Sequence, residues 1–311
     1  MDKSTRVGVL MGGMSTERPV SLKSGKAVLQ ALREKGWNAV GIDAGPDLPV
    51  RLREEGVEVA WIALHGQFGE DGCVQGLLEI MRIPYTGSSA SSSAAAMDKI
   101  TTKRLLAGTG IPMPADHTWR RGEPLPEGLV YPLVAKTPEG GSTLGIQICQ
   151  TPEALEAALQ EIGGMGDEVL LEDFVDGREI TVAVLEGEAL PVVEIVPESG
   201  FFDFEAKYTE GRTSYLVPAP LEEGVAVAAQ RFAEISYEKM GLAGIARADF
   251  IVTADGTPMF LEVNTIPGMT ATSLSPMAAA ETGVPFAELV ERLLLGARLF
   301  LEDRGSSPDF P

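Results

Sequence analysis

The sequence predicts an α/β unit built on a parallel sheet, followed by an α+β region. Over residues 7–87, apolar runs of strand length alternate with helical patterns, which is typical of a parallel sheet with ligands at its strand carboxyl ends. Beyond residue 130, strand-like runs follow one another through polar loops, and this order indicates antiparallel pairing. An Asp-Gly pair between two apolar runs near the C-terminus predicts a hairpin.

In the first unit, the apolar runs predict strands at residues 7–11, 39–42 and 57–64. Helices are expected after the first of these strands and over residues 73–81. Ser15 or Thr16 is the expected cap of the first helix, because N-cap positions favour a hydroxyl side chain. Residues 88–96, which are rich in serine and alanine, are interpreted as a linker loop before a helix that opens at residues 97–99.

In the second region, strands are predicted at residues 131–136, 146–149, 168–174, 180–185 and 189–196. Helices are predicted at residues 152–162 and 225–240. Two polar loops interrupt these elements, a glycine-rich loop at residues 137–145 and a longer loop with several aromatic residues at 197–218. The second loop has the length and composition of a lid over a site.

The predicted hairpin places two acidic side chains opposite one another. If Asp255-Gly256 forms a two-residue turn, Asp249 lies opposite Glu262 and Arg247 lies opposite Asn264, all on one face of the sheet. Two carboxylates about 5 Å apart repel each other unless a cation lies between them. Carboxylate and amide oxygens suit Mg²⁺, and Arg247 is available to hold a phosphate or an oxyanion. The alternative is an ordinary surface hairpin, and a three-residue turn would shift the register.

Composition argues against several classes of partner. The formal net charge of −20 over 311 residues argues against nucleic acids and anionic membranes. No apolar run is long enough for a membrane span, and the N-terminal residues lack the apolar core of a signal peptide. Cys73 and Cys149 are expected to be free thiols in a reducing cytoplasm. With two histidines in the chain, a histidine-rich metal site is excluded.

The glycine-rich loop at residues 137–145 has the composition of an anion-binding loop, since backbone amides of successive small residues can converge on a phosphate. Lys136 precedes the loop directly. The loop is neither a Walker A sequence nor a dinucleotide fingerprint, and a plain hairpin loop is the alternative. Together with Lys99 and the acidic hairpin, it supplies the parts needed to bind ATP with magnesium.

Seven stretches of the chain, taken in order, resemble the D-alanine–D-alanine ligases, a family of ATP-grasp enzymes. They are residues 12–18, 65–72, 97–99, 141–142, 202–208, 247–249 and 262–270. The resemblance implies an N-terminal Rossmann-like parallel sheet followed by a two-domain ATP-grasp fold. The implied domains are residues 1–95 for substrate binding, 96–176 for the small ATP-grasp domain, 177–305 for the domain with the metal site and lid, and 306–311 for a tail.

The resemblance also implies roles around two D-alanine molecules. The implied catalytic residues are Glu17, Ser142, Tyr208, Arg247 and Gly268. Within this group, Glu17 holds the ammonium of the first D-alanine, and Arg247 with the Gly268 amide stabilises an oxyanion. Ser142 links Glu17 to Tyr208 in a network that closes the site. The residues implied to bind substrate are His65, near the first D-alanine, and Ser273 with Leu274, at the carboxylate of the second.

For the nucleotide, the residues implied to bind ATP are Lys99, Lys136, Glu172, Glu179 and Lys207. The lysines contact the phosphates, and the two glutamates lie at the adenine and ribose. Asp249, Glu262 and Asn264 are implied to bind two Mg²⁺ ions, which Mn²⁺ can replace.

The implied reaction is the ATP-dependent ligation of two D-alanines to D-alanyl-D-alanine, for peptidoglycan precursor synthesis, by a cytoplasmic homodimer. A free carboxylate is a poor electrophile, so ATP first converts it to an acyl phosphate, from which water must be excluded. The alternatives are a ligase for another carboxylate and amine, and a non-catalytic nucleotide-binding protein. A nicotinamide-dependent reductase is a third alternative, which the missing glycine fingerprint disfavours.

Overall fold

The computed structural model of the protein describes residues 1–140, 145–162, 164, 166–197 and 213–301. These residues contain a parallel sheet near the N-terminus and two antiparallel sheets after it. The predicted order of an α/β unit before an α+β region is therefore confirmed.

The N-terminal unit is a three-layer arrangement around a parallel sheet of order β2-β1-β3. Its strands are β1 (Arg6–Met11), β2 (Asn38–Asp43) and β3 (Val59–Ile62), and its helices are α1 (Arg18–Glu34), α2 (Leu48–Glu54) and α3 (Cys73–Met81). Helix α2 was not predicted. The predicted hydroxyl cap of α1 is wrong, because Glu17 occupies the N-cap position without a side-chain cap bond. Ser15 Oγ instead donates to the carbonyl of His65 at 2.6 Å, which ties the loop after β1 to the end of β3.

Residues 88–96 do not form the predicted loop, because most of them belong to helix α4 (Ala90–Met97). Ser89 caps this helix by accepting from the Ser92 amide at 3.2 Å. The small side chains allow close packing, and the buried Ser92 hydroxyl donates to the Gly241 carbonyl at 2.9 Å. Helix α5 (Lys99–Leu106) follows directly, as predicted, with Asp98 accepting from the amides of its first turn.

The small antiparallel sheet has the order β4-β7-β5-β6. Its strands are β4 (Asp116–Arg120), β5 (Leu133–Lys136), β6 (Ile146–Cys149) and β7 (Glu168–Asp173), of which β4 was not predicted. Helix α6 (Pro152–Ile162) buries one apolar face that recurs at helical spacing, formed by Leu155, Ala158, Leu159 and Ile162.

The larger antiparallel sheet has the order β11-β10-β8-β12-β13, with β9 paired to β8. Its strands are β8 (Arg178–Leu185), β9 (Glu188–Ala189), β10 (Val193–Pro197), β11 (Thr213–Leu216), β12 (Ile245–Val252) and β13 (Pro258–Asn264). Helix α7 (Glu223–Lys239) covers one face of this sheet. On that face Phe250 and Phe260 are fully buried and meet edge to face, with ring centroids 5.6 Å apart.

The opposite face of this sheet is divided between packing and polar side chains. Ala183, Leu185 and Ile245 join the core of the N-terminal unit, whereas Thr181, Arg247 and Asp249 form a polar area beside it. Alternation along the strands puts all six side chains on this face, and their position along the strands separates the packed group from the polar group.

Two closing helices, α8 (Leu274–Glu281) and α9 (Phe286–Leu295), return to the N-terminal unit. Glu291 on α9 accepts from Trp37 Nε1 at 2.8 Å, lies 3.0 Å from Lys35 Nζ and forms an ion pair with Lys3. No helix in residues 1–140, 145–162, 164, 166–197 and 213–301 has the length and hydrophobicity needed to cross a membrane.

The cluster around Glu291 predicts a pH-dependent contribution to stability. Hydrogen bonds from Lys3, then Lys35 and Trp37, lower the pKa of Glu291 from 4.5 to about 2. Because the folded pKa is depressed, the contribution is fully present above the unfolded pKa and is lost as the pH falls toward 2. We expect Glu291→Gln to lower the thermal unfolding midpoint at pH 7, with the deficit shrinking below about pH 4.5. The exposed Glu288→Gln on the same helix is the control, and a deficit independent of pH would contradict an ionic origin.

Candidate active site

The predicted register of the acidic hairpin is confirmed, but the predicted two-residue turn is wrong. Asp249 pairs with Glu262, and Arg247 pairs with Asn264. Residues 254–256 form a three-residue turn, because the Thr253 amide donates to the Thr257 carbonyl at 3.1 Å. Gly256 closes it at φ +82°, a conformation that glycine adopts without strain.

A β-bulge corrects the register between the turn and the site. Phe250 pairs with Phe260, whereas the preceding residue Asp249 pairs with Glu262, so Leu261 is the extra residue on β13. Without this bulge, the three-residue turn would move Glu262 to the other face of the sheet relative to Asp249. Turn and bulge together therefore restore the alignment expected from a shorter turn.

The acidic side chains on this face are held by protein donors. Arg247 donates two hydrogen bonds of 2.8 Å to the Asp249 carboxylate, and Thr181 donates to the same carboxylate at 2.6 Å. Lys99 Nζ lies 3.3 Å from Glu262 Oε2. One cation thus lies beside each member of the opposed pair, which offsets the repulsion between the two carboxylates.

The region in front of the opposed pair Asp249 and Glu262 is called the cleft, and Arg247 is a fixed positive charge in it. Burial opposes the charge, but Asp249, followed by Glu262 and Glu70, outweighs the burial and raises the pKa of Arg247. The guanidinium is therefore permanently charged beside the acidic pair and can stabilise negative charge that develops on a substrate.

The loop after β3 brings two buried ionisable groups to the same cleft. Burial, assisted by the charge of Arg247, lowers the pKa of His65 to about 4, so this imidazole is neutral near pH 7. His65 Nε2 lies 3.3 Å from the Ser24 hydroxyl on α1. Burial, followed by the charge of Glu17, raises the pKa of Glu70 to about 8, and Glu70 accepts from the Gly66 amide at 2.5 Å. Glu70 therefore carries a proton near neutral pH.

Glu17 lies against the same loop. Gly66 has φ +68°, and a Cβ atom at this position would approach Glu17 Oε2 to 2.6 Å. A side chain at residue 66 would thus displace the Glu17 carboxylate. Glu70 was not among the predicted site residues, although it belongs to the motif at residues 65–72; its burial is the property that the sequence does not display.

On the side of the small sheet, Glu172 is clamped between two lysines. Lys103 Nζ lies 2.7 Å from Glu172 Oε1, and Lys136 is bonded to Oε2. All three side chains are no more than 7% exposed. Lys103 was missed by the sequence interpretation, and its position one helical turn after Lys99 on α5 was the available signal. Glu179 lies on β8 on the same face as Thr181, and hence on the face of Asp249.

The loop between β13 and α8 completes the cleft. Asn264 Oδ1 accepts from the Ile266 amide at 2.8 Å, and the Met269 amide donates to Ser24 Oγ at 3.2 Å. Ser273 is the N-cap residue of α8, Leu274 is its first residue, and a Cβ atom at Gly268 would lie 3.2 Å from Ser273 Oγ. The predicted site residues Ser142, Lys207 and Tyr208, and residues 198–212 of the predicted lid, lie outside the described residues.

Two family models and several curated relatives are similar to this chain over most of its length. A family model described as the D-ala D-ala ligase C-terminus matches residues 115–295, and one described as the D-ala D-ala ligase N-terminus matches residues 47–88. The D-alanine–D-alanine ligase of Syntrophotalea carbinolica is 52% identical over 295 residues, which cover 94% of this chain and 96% of that protein. The ligase of Citrifermentans bemidjiense is 49% identical, with coverage of 96% and 97%.

Solved structures agree in fold. The D-alanine–D-alanine ligase of Bacillus anthracis complexed with ATP superposes with a TM-score of 0.85 at 31% identity, covering 97% of this chain and 100% of that one. The ligase of Coxiella burnetii gives a TM-score of 0.81 at 27% identity, with coverage of 95% and 94%. On these sequence matches, the chain belongs to the D-alanine–D-alanine ligase family.

Proposed function

We propose that this protein joins two molecules of D-alanine to D-alanyl-D-alanine, a peptidoglycan precursor, with ATP activating the first D-alanine as an acyl phosphate. The observation that carries the proposal is the opposed pair Asp249 and Glu262 with Arg247 and Lys99 beside it. This arrangement occurs in a chain that is 52% identical to a D-alanine–D-alanine ligase over nearly its whole length.

Asp249, Glu262 and Asn264 form a donor set that fits magnesium, since all three supply oxygen from carboxylates or an amide. In the part of the chain that the structure describes, no group of three histidine, cysteine or acidic residues is arranged to hold a metal. The proposed set differs from such a group because its third member is an asparagine. Bound here, two Mg²⁺ ions, or Mn²⁺ in their place, would neutralise the charge of the ATP phosphates.

The substrate side of the cleft suits an amino acid in its zwitterionic form. Glu17 is assigned to the ammonium of the first D-alanine, and a protonated Glu70 nearby adds no second negative charge. A neutral His65 can share a hydrogen bond without repelling the ammonium. Arg247 is assigned to the oxyanion that forms when the second amine attacks, together with the amide of Gly268.

The remaining site residues keep the roles implied by the resemblance. Ser273 and Leu274, at the start of α8, are assigned to the carboxylate of the second D-alanine, where the amides of a helix N-terminus favour an anion. The residues assigned to ATP are Lys99, Lys136, Glu172, Glu179 and Lys207. The domain bounds at residues 95, 176 and 305, the homodimer and the cytoplasmic location stay predictions.

Product analysis tests the reaction directly. With ATP, Mg²⁺ and D-alanine, we expect phosphate release accompanied by D-alanyl-D-alanine, identified by chromatography and mass. L-alanine and D-lactate are the matched controls, and neither should stimulate phosphate release comparably. Stimulation by another carboxylate and amine, but not by D-alanine, would reassign the substrate.

Glu262→Gln should reduce ligation at least about 100-fold, because it removes a charge aimed at the metal and phosphates. The Mg²⁺ concentration for half-maximal activity should rise in the same variant. The exposed Glu238→Gln serves as the control and should behave as the parent. Unchanged activity and magnesium dependence in Glu262→Gln would indicate a site elsewhere in the chain.

Tyr208→Phe should uncouple ATP use from ligation, since the resemblance assigns Tyr208 to the network that closes the lid against water. The measurement is the ratio of phosphate released to dipeptide formed, which we expect to rise above the parental ratio. Phe204→Tyr, in the same predicted loop, is a control for altered loop composition. Equal ratios in Tyr208→Phe and the parent would remove Tyr208 from this role.

A further inference from the structure

Lys103 and Lys136 form a clamp on the Glu172 carboxylate, and the proposed reaction gives no role to Lys103. Glu172 lies on β7, and each of its carboxylate oxygens is held by a different ammonium, Oε1 by Lys103 and Oε2 by Lys136. A buried carboxylate left without a cation is strongly destabilising, so at least one of these lysines must stay with it.

The contacts of Lys103 hold its ammonium among acceptors of the protein itself. Its ammonium lies 2.8 Å from the Pro114 carbonyl, 2.7 Å from Glu172 and 3.0 Å from Asp116. Two of the three donors of this ammonium form hydrogen bonds to Pro114 and Glu172, and Asp116 is an ion-pair partner. Lys103 is therefore anchored between α5 and two strands of the small sheet.

Helix α5 carries two lysines that contact different carboxylates of the proposed site. Lys99 at its start donates to the Gly140 carbonyl at 2.7 Å and lies beside Glu262, whereas Lys103, one turn later, reaches Glu172. The proposed triphosphate end and the proposed nucleoside end of the site are thus held by one helix.

We propose that Lys103 is a positioning residue for ATP, which rests on the ATP-dependent function proposed above. By neutralising Glu172, Lys103 allows the Lys136 ammonium to turn to the nucleotide phosphates without leaving a buried carboxylate unpaired. If Lys103 loses its charge, Lys136 is the remaining cation of the clamp and stays bound to Glu172. The contact that the phosphates make with Lys136 is then lost.

Steady-state kinetics test this role by separating ATP binding from turnover. In Lys103→Met we expect the KM for ATP to rise roughly 10- to 100-fold, the value for one charged hydrogen bond. The KM for D-alanine, and kcat at saturating ATP, should change little. Lys103→Arg should recover part of the ATP affinity because it restores the charge. Arg104→Met, at the exposed neighbouring position of the same helix, should match the parent.

A second comparison tests whether the effect of Lys103 on ATP affinity depends on the Glu172 carboxylate. In a Glu172→Gln background no buried carboxylate remains between the two lysines, so adding Lys103→Met should leave the KM for ATP unchanged. The comparison of Glu172→Gln with the double variant tests the proposal even if Lys103→Met alone does not fold. A further rise in KM in the double variant, or a parental KM in Lys103→Met, overturns the proposal. A parent that consumes no ATP with D-alanine would instead overturn the proposed function.

Discussion

The register between β12 and β13 is the constraint on which the cleft depends. Every second residue of a strand faces the same side, so a slip of one position would carry Glu262 into the apolar core and Phe260 toward the cleft. The three-residue turn introduces that slip, and the bulge at Leu261 removes it before the strands reach Asp249. Phe250 and Phe260, packed edge to face beneath the sheet, lock the pairing on the turn side of the bulge. Backbone geometry, rather than any single ion pair, therefore brings the acidic residues together.

Charge is then balanced locally in a chain whose formal net charge is −20. The cations assigned to ATP in the described residues, Lys99 and Lys136, are 6% and 5% exposed, and Lys103 beside them is 7% exposed. Burial strengthens their attraction to phosphates, because the effective dielectric constant is lower than in water. Glu70 also limits the negative charge of the cleft, because burial raises the pKa of this carboxyl to about 8 and keeps it protonated near pH 7.

Features set by local pattern could be predicted from the sequence, and features set by packing could not. The predicted alignment of Asp249 with Glu262 is correct because two differences cancel: the turn is one residue longer than expected, and the bulge at Leu261, which carries no composition of its own, restores the register. The serine- and alanine-rich segment at residues 88–96 reads as a loop by composition, but its small side chains pack closely enough to form α4. Lys103 and Glu70 look like ordinary surface charges until tertiary contacts bury them. The first helix was placed correctly, whereas its hydroxyl cap was not, because Ser15 is bonded to the loop of a neighbouring strand.

One apolar core joins the beginning and the end of the described chain, since Val7, Val9 and Trp61 pack with Leu289 and Leu293. Ribosomes add roughly 5–20 residues per second, so the N-terminal sheet leaves the exit tunnel well before α9 has been made. During that interval one side of the sheet lacks its final covering and exposes apolar surface to water. Synthesis of this chain thus includes an interval in which the nascent N-terminal sheet lacks the part of its core that the last helix supplies.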